Sequence, residues 1–301
     1  MKKIISWFYW CLFVLGVLVF AIRLADSWVK HAHSLPALPS PNGYDEILAA
    51  ANDIKPAPKD LVDLTPDQIR ALADQNRPEL ERARKAFQLQ SRVSVKPTRE
   101  WDDHHDDNLA SLMRLAVAFG IESSMKIKDH QTNAAAECDM DMLRLADRVG
   151  KGGIIIDGIK SLTIEALAVG ELQPKIPYLD AEFCRKSSLE IEVWLDTREK
   201  PETTFSMEKN WSATRFGLID LAGSRFMRQS NLKREDKFTS HFKDAGHWAQ
   251  NLMLRLAVRA YALDKSRLPP DASALVPLYI KAVPKDFETG KEITELPPAS
   301  P

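Results

Sequence analysis

The chain has 301 residues, 45% of them hydrophobic and 28% charged, with a formal net charge of −1. This is a globular mixture rather than a disordered one, and it is long enough for a large domain or two small ones. Lys2, Lys3, Arg23 and Lys30 outweigh Asp26 near the start, which leaves the body weakly acidic, so nucleic acid is excluded as an expected partner.

From Ile4 to Ile22 no residue carries a charge. At ~1.5 Å per residue this run makes about 28 Å of helix, close to the ~30 Å hydrocarbon thickness of a bilayer. Trp7, Tyr9 and Trp10 crowd one end, where amphipathic rings favour the interface. The run exceeds a signal-peptide core, and Arg23 sits at the −3 place of the nearest cleavage site, after Ala25. An uncleaved membrane anchor is therefore expected, with lipid as the partner of Ile4–Ile22. Lys2, Lys3 and the terminal amine face Arg23 and Lys30 across it. The near-tie favours a cytoplasmic tail and an extracytoplasmic, periplasm-like body.

A stalk over Leu24–Ser34 and a proline-rich linker over 35–43 follow. Asn42 is placed to cap a helix from Tyr44, and Thr65 one from Pro66 to Gln75. Asn76-Arg77-Pro78-Glu79 looks like a second start, of a helix reaching about Ser91. The stripe Leu109, Leu112, Met113, Leu115, Ala116, Phe119 marks a strong helix. Thr132 or Asn133 caps the next one, to Gly150, and another ends before Pro174. Further helices are expected over Ala181–Glu199, Trp211–Arg228 and Phe238–Ser266, with Lys200–Lys209 as a loop. Glycine is scarce and strong helix formers are plentiful. The expected fold is mainly α: an N-terminal transmembrane anchor and stalk (1–34), a linker (35–43), stacked antiparallel helical hairpins (44–266), and an irregular proline-rich tail (267–301).

Chemistry-bearing residues are sparse. Cys11, Cys138 and Cys184 form no CxxC pair, so they make neither a disulfide framework nor a zinc site, and pairing of Cys138 with Cys184 stays open. The densest metal-capable cluster runs from Asp102 to Asp107: Asp103, His104, His105, Asp106 and Asp107 are the candidate ligands, and a metal-dependent hydrolase is the enzymatic alternative. Adjacent histidines diverge by ~100° on a helix, and acidic residues gather before helix N-termini, so a capping role is favoured. Gly150-Lys151-Gly152-Gly153 lacks the spacing of a phosphate loop and follows a helix, so it reads as a break between helices. Asp139 and Asp141 face apart on their helix. No cofactor is expected, and the absence of site chemistry makes a protein-binding envelope scaffold the leading functional expectation.

Tyr261, Asp264, Pro269, Leu275, Val276, Pro277, Tyr279, Pro284 and Asp286 follow a spacing that resembles the C-terminal pattern of the major pseudopilin of type II secretion. Ser266, Leu268 and Phe287 depart from it. A prepilin also needs a glycine before its cleaved phenylalanine and a glutamate five residues into the mature helix, and MKKIISWFYW has neither. The whole layout, including Arg148–Asp157, resembles bacterial single-pass membrane-anchored helical proteins of uncharacterised activity. The resemblance implies an envelope setting, and a secretion component as an alternative. Physically, Pro269, Leu275, Val276, Tyr279 and Val283 are expected to fold back on the Phe238–Ser266 helix and cover its apolar face.

Overall fold

Helix starts follow capping side chains visible in the sequence. In the computed structural model, which describes residues 2–32, 35–58, 65–287, 290–293 and 295–297 (without the side chains of 2–12, 31–32, 99, 102 and 218–231), α1 spans Lys2–Ala32. Asn42 accepts from the Tyr44 amide at 3.3 Å and opens α2 (Gly43–Asp53). Thr65 and Gln68 cap each other's backbone at the start of α3 (Pro66–Ala86). Thr98 accepts from the Trp101 amide and opens α4 (Arg99–Lys128). The helices α5 (Thr132–Gly150), α6 (Ile155–Leu172), α7 (Ala181–Thr197), α8 (Pro201–Phe216) and α9 (Leu218–Lys265) follow. The fold is mainly helical, as expected, and among the described residues no strand forms beyond one bridge, Lys285 to Glu292.

Several boundaries differ from the sequence reading. α3 runs through Pro78 unbroken, because Ala73, Leu80, Ala83 and Ala86 form one buried stripe across it. Asn76 does not start a new helix; its side chain bonds the Lys55 amide (2.8 Å) and carbonyl (3.2 Å), tying α3 to the end of α2. Neither Thr132 nor Asn133 caps α5, since Gln131 holds that place without a side-chain bond. The expected loop over 200–209 lies in α8, opened by Pro201 at its first position, and α9 continues through the expected break before Phe238. Gly217, at φ 56°, divides the helix expected over Trp211–Arg228 and makes the joint between α8 and α9 in a backbone region that disfavours any side chain.

Connections of three or four residues turn α4 into α5 and α5 into α6, and each helix packs against its predecessor. The continuous core holds Leu112, Leu115 and Phe119 of α4, Met142 and Leu145 of α5, and Ile164 of α6, all fully buried. α7 packs chiefly on α9. The tail closes this end: Leu275, Tyr279 and Ile280 are buried, the Tyr279 hydroxyl reaches Asp264 Oδ2 at 3.0 Å, and the Tyr261 ring lies 5.5 Å from that of Tyr279.

Among the described residues no helix is long and apolar enough to cross a membrane. The transmembrane helix expected over Ile4–Ile22 is thus not found there. Described side chains of α1 begin at Phe13, and the stretch from that point soon includes Arg23, Asp26 and Lys30. The last turns of α1 pack against α8: Val29 is buried, and Lys30 pairs with Asp26 at 2.8 Å beside Gly217. The linker end is fixed too, since Asn42 bonds both the amide and the carbonyl of Arg92.

Candidate functional site

The Asp102–Asp107 cluster does not precede its helix but lies in the first turns of α4, and helical geometry scatters it. His105 points inward, 5% exposed, its Nε2 2.9 Å from Asp157 Oδ1 of α6, without the alignment of a hydrogen bond. Trp101 stacks on the His105 ring at 4.0 Å. His104 is exposed and its Nδ1 contacts the Glu100 carbonyl; Asp103, Asp106 and Asp107 are exposed as well, and the Asp102 side chain lies outside the described set. Among the described residues no three His, Cys, Asp or Glu side chains converge to hold a metal ion.

The Gly150–Gly153 turn offers amides like those of an anion cradle, and carboxylates of the chain already take them. Glu199 accepts from Gly152 N (2.5 Å), Asp157 from Ile154 N (2.8 Å), and Glu208 from Ile155 N (3.0 Å). Gly152 adopts φ +69°, and the stem of Arg92 covers it. A phosphate would have to displace charges held by three elements.

Buried carboxylates elsewhere tie the helices together. Arg84 of α3 contacts Asp141 (2.7 Å) and Glu122 (2.5 Å), and Arg144 contacts the other oxygen of Asp141 (2.6 Å). Arg144 also grips Glu190 of α7 bidentately, at 2.6 and 2.7 Å. Burial raises the Glu122 carboxyl, but Arg84 and Lys126 outweigh it and hold its pKa below the usual range. Asp139 faces away from Asp141, 2.8 Å from Lys175, and burial, against that cation, pushes its pKa up to about 6. Glu165 of α6 is 1% exposed and meets Arg198 at 3.0 Å; burial, opposed by Arg198, pushes it up to about 7. The Arg198 guanidinium lies 4.0 Å from the Phe242 ring centre and 5.0 Å from that of Trp194. Cys138 and Cys184 are buried free thiols, both raised in pKa by burial first, and so poor nucleophiles; Cys11 lies outside the described side chains.

The arrangement best suited to bind something is the groove between α5 and α7, about 580 Å³ in volume. Met140, Leu143 and Ile191 are buried in its floor, and Arg144, Arg148, Lys151 and Trp194 stand along its rim. A recess of about 40 Å³ beyond Asp147, Lys151 and Trp194 continues toward Thr204 and Phe242. On the opposite face of α7, Ser188 donates to the Tyr279 carbonyl (2.7 Å), and Glu192 accepts from the Lys281 and Ala282 amides (2.6 and 3.1 Å).

Sequence reasoning missed Asp157, Glu165, Glu192 and the groove. The available signal was a charge at a core position of an apolar stripe, as in Ile164-Glu165 and Glu190-Ile191-Glu192-Val193. Comparison of the chain with protein-family models, with curated proteins and with solved structures finds no match.

Proposed function

We propose that this chain is a single-pass membrane protein, anchored by Ile4–Ile22, whose helical body is a protein-interaction module of a cell envelope. The observation that carries the reading is the surface of α1. Every large apolar side chain from Phe13 to Ile22 is 48–66% exposed. Successive positions advance by ~100°, so exposure at nearly every one describes an apolar cylinder, not a stripe that one groove could cover. Eight such side chains gain ~1.5–3 kcal/mol each on full burial, and from half-exposure on the order of 10 kcal/mol together. Lipid supplies an all-round cover. With Lys30 neutralised by Asp26, Arg23 stands alone on the body side against Lys2 and Lys3, which favours an extracytoplasmic body.

The interaction role is supported by where the charges lie: its buried carboxylates are engaged in holding helices together, while the α5–α7 groove is amphipathic and open. Affinity capture with the full chain, cross-linked in membranes and extracted in detergent, is expected to recover specific partners. A monomer that retains nothing above background contradicts the module. One observation favours a second reading, a secretion or pseudopilus component: Tyr261, Asp264 and Tyr279, three residues of the resemblance, meet in one clasp. That reading requires processing of the N-terminal segment, and an intact Met1–Ile22 by mass spectrometry rejects it.

A further inference from the structure

The length of the α5–α7 groove sets the size of an occupant. Along α5 it runs from Met140 to Lys151, about 16 Å at ~1.5 Å per residue. An extended chain advances ~3.3 Å per residue, so about five residues span the groove.

Charge selects further. Both carboxylates of the groove are engaged, Glu190 by Arg144 and Asp147 by Arg148 at 3.3 Å. At the turn end, Lys151 is exposed and has no ion-pair partner among the described residues, and the buried Arg148 Nε has no acceptor. An acidic segment therefore meets one cation not yet neutralised, Lys151, and a basic one meets no free carboxylate. On its other face, α7 already holds a turn of the tail through its side chains, the Ser188 hydroxyl donating to one main-chain carbonyl and the Glu192 carboxylate accepting from two main-chain amides.

We propose that this groove binds an acidic–apolar peptide segment of a partner protein. Apolar side chains rest on Met140, Leu143, Ile191 and Val193, and a carboxylate sits at Lys151 beside Trp194. The inference rests on the interaction-module reading and names the chemistry of the partner. Panning the detergent-solubilised full chain against a random octapeptide library tests it. Sequences with Asp or Glu beside apolar residues are expected to be enriched, and to bind at least about tenfold more weakly to Lys151→Glu and to Val193→Arg. Both positions are exposed, Val193 by 41%, and circular dichroism checks that each variant keeps the wild-type fold. Enrichment of basic or purely apolar peptides, or equal binding by both variants, overturns the proposal. So does saturable laurate binding that requires Lys151 without any acidic peptide being enriched, which makes the groove a fatty-acid site. Partners captured equally by wild type and Val193→Arg overturn the groove and leave the module standing; capture by neither removes the module itself.

Discussion

Replacing Glu165 by glutamine tests the energetics of the buried pair with Arg198. The carboxylate is 1% exposed, lies 3.0 Å from Arg198, and is raised by burial from 4.5 to about 7. Arg198 is lowered, again by burial first, so both partners are displaced toward their neutral forms and desolvation exceeds their attraction. Between pH 4.5 and 7 the folded chain thus holds a proton that the unfolded chain has released. Its stabilising effect is complete below the unfolded value and is lost as pH rises through the folded one. Two and a half pH units at ~1.36 kcal/mol each make roughly 3 kcal/mol. The amide of the Glu165→Gln variant does not titrate, so the stability of wild type relative to that variant should fall by about this amount between pH 4.5 and 8. For a body of this size the gap in Tm should change by about 6–12 °C. Thermal unfolding of both detergent-solubilised chains, followed by far-ultraviolet circular dichroism across this range, measures it. A gap that stays constant, or that moves in favour of wild type with rising pH, shows an ionised pair and refutes the reasoning.

Three further outcomes follow from the same packing. Lys175→Met leaves Asp139 buried without its cation and should cost ~3–5 kcal/mol in denaturant unfolding at neutral pH, with part of the loss recovered by adding Asp139→Asn. Glu192→Ala frees the Lys281 and Ala282 amides; tryptic cleavage at Lys281 and Lys285 should accelerate roughly tenfold, as loss of a buried charged acceptor costs ~1–3 kcal/mol. Asp106→Asn with Asp107→Asn should leave zinc and manganese content at the wild-type level by elemental analysis, because those side chains splay outward; a drop in content would restore the metal reading.

Much of the helical layout was legible because local chemistry decided it. Asn42 and Thr65 cap the helices their positions announced, and the Leu109–Phe119 stripe is buried. The Asp102–Asp107 segment was misplaced because acidic residues before a stripe imitate a cap, whereas Pro97-Thr98 held the true start. Extending that stripe backward from Leu109 by one turn reaches His105, and by two reaches Trp101, which is why these two pack inward while their neighbours do not. The first part of α8 escaped notice because the helix's buried positions, Pro201, Thr204, Met207 and Ala213, form a sparse stripe dependent on α9 and α1 for cover. Asp157, Glu165 and Glu192 were visible as charges within apolar runs. Their partners His105, Arg198 and the tail amides were not, since each comes from a distant segment and only tertiary packing brings them together.

Membrane attachment turns on the environment of α1. Single cysteines placed in turn from Phe13 to Ile22, labelled with a fluorophore in vesicles containing brominated lipid, report contact with acyl chains position by position. Quenching at all ten positions, irrespective of helix face, is the expected result. Quenching at none, or only on one face with a period near 3.6 residues, would contradict a membrane-spanning anchor and assign this apolar surface to a protein partner or to the bilayer interface.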